Sequence, residues 1–168
     1  IAQLKLDEVV LDDGLQHFII QASEGGSLKT SAATRRIPMH AKLVELGLKS
    51  YVTELKQVGE HRLFPLWQKP NGKGYPDASS QRFFRRSIIP LITTRTKPRP
   101  NFHSFRNTMK DEMVRVGMPP AHQDVILGHE SPGMTRIYHK SRNLADLAES
   151  FSRIEYPHVD FSEIVARG

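Results

Sequence analysis

The chain has no cysteine, which excludes disulfide frameworks, thiolate metal sites and cysteine nucleophiles, and permits an intracellular home. Long apolar runs are missing too. Nothing approaches the ~20 consecutive apolar residues of a spanning helix, and no short basic amphipathic helix dominates, so no membrane partner is expected. Negative charge is in short supply: 18 Asp and Glu stand against 24 Lys and Arg, a formal net charge of +6. That balance favours an anionic partner, nucleic acid first. There is no low-complexity tract and no internal repeat. What is present, 168 residues of which 38% are apolar, suffices for one compact domain with its own core. Ile1, Leu4 and Leu6 read like the interior of an ordered element rather than a signal peptide, so the chain is expected to be cut from a longer one.

Along the chain, Val9 to Leu11 and Leu15 to Ala22 flank Asp12-Asp13-Gly14, the composition of a hairpin. Ser23 to Thr34 is rich in Gly, Ser, Thr and Ala and carries Lys29, which is expected on or beside a β-turn. Arg35 to Met39 resumes an extended pattern that Pro38 confines to an edge or strand end. From His40 the period becomes helical: Val44, Leu48, Tyr51, Val52 and Leu55 predict one helix of ~4 to 5 turns ending at Gly59. Glu60 to Tyr75 reads as a long loop. Asp77, Ser79 and Ser80 offer caps for a helix using Phe83, Phe84, Ile88 and Leu91. A basic extended stretch, Thr93 to Asn101, follows with Arg95, Lys97 and Arg99. Asn101 can cap a helix with the stripe Phe102, Phe105, Met109, Met113 and Val116, ending at Gly117. Further helices are expected from Pro119 to Leu127, from Ser131 to about Tyr138, and over Leu144, Leu147, Ala148, Phe151 and Ile154.

His103 and Arg106 lie three apart and so share a helix face opposite that stripe. Alone, such a pair is commonly a solvated polar surface. Likewise a Tyr such as Tyr138 is commonly a half-buried core aromatic, and a His after a Gly stop, such as His129, a capping residue. The eight histidines invite a metal, but Gly128-His129-Glu130 does not continue to His-Glu-x-x-His and no carboxylate cluster joins the others, so no metal or other cofactor is expected. Asn71-Gly72-Lys73-Gly74 lacks the spacing of a phosphate-cradling loop. Arg85, Arg86, Arg95, Lys97 and Arg99 are open to two readings, solvated surface or phosphate contact.

The order of the segments decides among these readings. Phe102 to Arg106, Leu127 to Glu130 and Met134 to Lys140, preceded by Leu28-Lys29-Thr30 and Arg35-Arg36-Ile37-Pro38, resemble the tyrosine recombinases of the phage integrase type. That resemblance implies an α+β, mainly helical catalytic domain over residues 1–168, with a small three-stranded antiparallel sheet and truncated at its amino-terminal end. It also implies catalytic roles for Lys29, His103, Arg106, His129 and Tyr138. Tyr138 matches the nucleophile, Arg106 the second arginine, His103 the histidine before it, His129 the His/Trp position and Lys29 the hairpin lysine. The first arginine of the family falls a few residues upstream of Ile1.

The chemistry suits these residue types. A tyrosine with pKa ~10 is a poor nucleophile unless cations and a proton acceptor stand close by. A planar guanidinium can take two phosphate oxygens in fork geometry, as Lys cannot. Expected DNA contacts are Arg35, Arg95, Lys97, Arg99 and Lys140. The expected partners are double-stranded DNA, three further copies forming a tetramer on paired sites, and accessory DNA-bending or excision factors, in a prokaryotic, nucleoid-associated cytoplasmic setting. A type IB topoisomerase, which shares this chemistry, and a DNA-binding fragment that no longer cuts are the alternatives; a basic helical RNA binder is a remote third. Val159, Phe161, Ile164 and Val165 are expected to dock on a neighbouring subunit.

Overall fold

The computed structural model describes residues 4–12, 14–21, 35–67, 84–91, 100–129, 143–157 and 159–162. Lys29, Arg95, Lys97, Arg99, Tyr138 and Lys140 lie outside these, as do the helix expected from Ser131 and residues 68–75 of the loop expected after Glu60.

Three short strands make one antiparallel sheet in sequence order: β1 (Val9–Val10), β2 (His17–Ile20) and β3 (Arg35–Pro38). The predicted hairpin is present, with Val9 opposite Phe18 and Val10 opposite His17. β3 runs along the edge, Ile20 opposite Arg35 and His17 opposite Pro38. Pro38 ends that strand, where its missing N–H costs no ladder bond. The next amide takes over, Met39 N donating to Gln16 O at 2.8 Å.

The single helix expected from His40 to Gly59 is two: α1 (Ala41–Glu45) and α2 (Leu48–Gln57). The break is at Gly47, whose φ of 89° is left-handed, a conformation that glycine alone adopts cheaply and that interrupts the helical path. Gly59 (φ 79°) ends α2 as predicted. Val52 on α2 is buried with Leu6, Val9 and Leu63 in a first core, packed around by Phe18, Met39, Leu48 and Leu55. Tyr51 donates its hydroxyl to Leu63 O at 2.9 Å. Leu6 N to His61 O and Leu63 N to Leu4 O close this core against the amino-terminal segment.

The helix expected around Phe83 to Leu91 is, among the described residues, one π-helical turn at Phe84–Ile88 followed by a 3-10 turn at Ile89–Leu91. Pro90 lacks the N–H that a continuing α-helix would need, and Leu91 is exposed instead of forming the end of an apolar stripe.

The carboxy-terminal half is helical: α3 (Ser104–Arg115), α4 (Pro120–Leu127) and α5 (Leu144–Ser152). The cap expected at Asn101 falls instead at His103, which makes no side-chain cap bond; Asn101 Oδ1 accepts from His103 N at 2.8 Å just ahead of the helix, while Ser104 Oγ accepts from Asn101 N. The predicted stripe of α3 is correct at Met113, Met109 and Val116. It is wrong at Phe105, which is exposed and packs edge-on against Phe102 at the helix start. Met113, Met118, Leu127, Phe151 and Ile154 form the second core. Both α4 and α5 pack on β3. His40 ties the two halves: its Nδ1 accepts from Lys42 N and its Nε2 donates to Ile154 O at 2.8 Å. In the tail, Phe161 is half-buried within its own chain under Lys42 Nζ, 5.7 Å from the ring centroid, whereas Val159 is exposed. Ile164 and Val165 lie outside the described residues. Among the described residues no helix is long and apolar enough to cross a membrane.

Candidate active site

The site is built on the end of α4. Gly128 has φ 68° and ψ 39°, and the chain reverses there with His129 N donating to Asp124 O at 3.0 Å and Gly128 N to Val125 O at 3.3 Å. This is a Schellman reversal, which satisfies two of the helix's terminal carbonyls and leaves others without an intrahelical donor. One of these, Leu127 O, accepts from Arg106 Nη2 at 2.7 Å. Arg106 thus reaches from α3 across to the carboxy-terminal end of α4, where the helix dipole favours a cation.

The same Nη2 lies 2.7 Å from His129 Nε2. Arginine has donors only, so His129 Nε2 accepts and the neutral ring carries its proton on Nδ1. That nitrogen faces Asp124 Oδ1 at 3.8 Å, too long for a hydrogen bond. Half of the His129 side chain is exposed, so the pair opens to solvent. Among the described residues Arg106 donates through Nη2 alone, which leaves Nε and Nη1 for a ligand.

Arg35, at the start of β3, comes to the same turn. A Cβ on Gly128 would lie 2.7 Å from Arg35 Cζ and Nη1 and 3.0 Å from Nη2. Its guanidinium therefore packs on the main chain at Gly128, and a Cβ there would push the flexible end of the Arg35 side chain aside. Burial, and then the charge of Arg106, push the Arg35 pKa below its ordinary value. Among the described residues no three His, Asp or Glu side chains gather as metal ligands would.

Of the residues singled out in the sequence, Arg106 and His129 are brought together, and Arg35, expected only as a DNA contact, joins them. His103 is exposed at the start of α3, its carbonyl accepting from Arg106 N. Asp124 was missed. Its signal is the glycine stop itself: in a Schellman reversal the residue after the glycine meets the residue four positions before the glycine, here His129 and Asp124.

The family model described as the phage integrase family matches residues 1–144. No curated protein and no solved structure matches the chain. Members of that family cut and rejoin DNA in recombination and integration, and the match covers the sheet, α1 to α4 and the Arg106–His129 pair, so this chain belongs to the phage integrase family.

Proposed function

We propose that residues 1–168 form the catalytic domain of a site-specific DNA recombinase in which Tyr138 attacks the scissile phosphodiester. The observation that carries this reading is the Arg106–His129 pair, 2.7 Å apart on a helix end that precedes Tyr138 by nine residues within the family match. The Tyr138 oxygen forms a bond to phosphorus as the bond to the 5′ oxygen breaks. His103 accepts the tyrosine proton, and Lys29 gives a proton to the departing 5′ oxygen. The products are a 3′-phosphotyrosyl ester and a 5′ hydroxyl. Attack by a second strand's 5′ hydroxyl reverses the step, so bond energy is conserved and neither ATP nor a metal is needed.

Arg106 clamps the non-bridging oxygens, where charge develops in the in-line displacement. Turning to the phosphate breaks its contact with His129 and frees Nε2. To donate there the ring must carry a proton on Nε2. Arg35, Arg95, Lys97, Arg99 and Lys140 bind the DNA backbone, and the parent enzyme works as a tetramer on paired sites in a prokaryotic nucleoid, with accessory DNA-bending factors.

The test is a set of end-labelled duplexes nicked beside the cleavage position and incubated with the full-length enzyme. A covalent adduct that maps to Tyr138 and disappears in Tyr138→Phe is expected. No adduct, or an undiminished one in Tyr138→Phe, overturns the reading; supercoil relaxation without sequence preference would point to a topoisomerase instead.

A further inference from the structure

The buried face of α5 carries one polar residue. Leu147, Phe151 and Ile154 are buried there, and Ser150 is buried with them, three residues after Leu147 and four before Ile154, the spacing of one helix side. A buried hydroxyl needs a partner, and a serine within a helix commonly bonds back to its own main chain. Here the partner is on another helix: Ser150 Oγ shares a hydrogen bond of 2.8 Å with His122 Nδ1 of α4. The far end of α4 forms the site, where Leu127 O and His129 Nε2 hold Arg106. Leu127 is buried in the same core as Phe151 and Ile154. His122 and Leu127 lie within about 8 Å of each other along the helix axis. α4 is therefore tied toward α5 by a directional polar bond at its first turn and by packing at its last. α5 is itself fixed from another side, where His40 donates Nε2–H to Ile154 O at 2.8 Å and stands edge-on to the Phe151 ring. Both helices rest on β3. Apolar packing alone leaves a helix some freedom to slide or turn, whereas a buried polar pair with its bond made specifies one arrangement. The family match ends at residue 144, so Ser150 is not among the residues it covers.

We propose that Ser150 and His122 are positioning residues for the Arg106–His129 pair: their bond sets the axis of α4 against α5, and with it the place of the Leu127–His129 turn on which Arg106 is held. This deepens the recombinase reading and rests on it for the effect on cleavage. A small displacement of the turn carries the clamping guanidinium with it, and small misplacements are expensive in a reaction that depends on orientation. The loss falls on the chemical step and leaves DNA affinity intact, because the backbone contacts proposed above lie outside α4 and α5.

The variants are Ser150→Ala, His122→Ala and His122→Asn, whose side-chain amide can stand in for the ring's Nδ1. Ser152→Ala is the control, since Ser152 is exposed on the same helix and its hydroxyl donates to Glu149 O. In NMR spectra of the 168-residue chain, the His129 ring nitrogens and the Arg106 Nε–H should move in both alanine variants at positions 150 and 122. They should return toward wild type in His122→Asn and stay still in Ser152→Ala. In single-turnover reactions of the full-length enzyme on a nicked duplex, the same two alanine variants should form the Tyr138 adduct about tenfold more slowly or worse. DNA affinity should be unchanged, the split expected of residues that act on the chemical step, and the double variant should be no slower than either single one. Backbone spectra report whether each variant is folded, and the two His122 variants decide the matter if Ser150→Ala does not fold. His129 and Arg106 signals that stay still in the alanine variants, adduct formation at the wild-type rate, or cleavage and DNA affinity falling by one factor overturns the proposal. A wild-type enzyme that forms no adduct removes the recombinase reading instead, and the His129 and Arg106 signals then decide for or against the positioning pair.

Discussion

Around Val52 the core is closed by residues 4 to 64, mostly aliphatic side chains from the first strands, α2 and the segment after it, and none of its described members is a catalytic candidate. Around Met113 the core is drawn from residues 109 to 156, and Leu127, one of its buried members, carries the carbonyl that holds Arg106. The two cores are of similar size, yet among the described residues it is the second that shares atoms with the site. Among the described residues the first is linked to the site by β3, whose Arg35 lies at the turn. Stability and site geometry should therefore separate when the first core is damaged and fall together when the second is.

Four substitutions sharpen that contrast. Met113→Ala empties a fully buried position and should cost about 2–5 kcal/mol, lowering the urea midpoint and the DNA affinity together as α3 and α4 lose their shared packing. Gly128→Ala adds left-handed strain of about 1–2 kcal/mol and pushes the end of the Arg35 side chain aside; its DNA affinity should fall even in the cold, where the protein stays folded. Val52→Ala should cost about 2 kcal/mol and lower Tm, with DNA affinity intact below the transition. Were Val52→Ala to weaken DNA binding as much as Met113→Ala does, the separation of the two cores would be refuted.

The smallest effect is at Tyr51. Tyr51→Phe loses the bond to Leu63 O, about 1 kcal/mol. Burial, and then Glu60, raise the pKa of this tyrosine. The folded state thus holds the phenolic proton after the unfolded chain has released it. That contribution is complete below the ordinary tyrosine pKa and is lost as pH rises through the folded value. The wild type should lose stability above about pH 10 more steeply than Tyr51→Phe, as measured by urea midpoints across that range.

Much of this arrangement was legible in the sequence because it depends on local rules. Gly117 and Gly128 as stops and the Asp-Asp-Gly hairpin all act over a few residues. The fold class followed from them together with the family resemblance. What escaped was set by competition or by distance. The periodicity from Val44 to Leu55 continues across Gly47 as though no break existed, because an apolar stripe does not record φ. Phe105 satisfies the helical spacing of α3 but stays exposed, its ring edge-on to Phe102. The meeting of Arg35 with Gly128 joins positions 93 residues apart in sequence, and no local rule announces it. The Asp124–His129 pair was the recoverable omission, since it follows from the glycine stop.

The register of β3 carries one more consequence. Arg35 is the last rung of its ladder with β2, opposite Ile20, and the ladder is pinned at the other end by His17 opposite Pro38 and by Met39 N on Gln16 O. Successive strand residues face opposite ways, so a single residue inserted between Arg35 and Pro38 would turn the guanidinium to the other side of the sheet. Residues added or lost between Ile20 and Arg35 leave every rung in place. The segment that contains Lys29 is thereby free to change length over evolutionary time without moving Arg35, and insertion and deletion should be tolerated on one side of this arginine and not on the other.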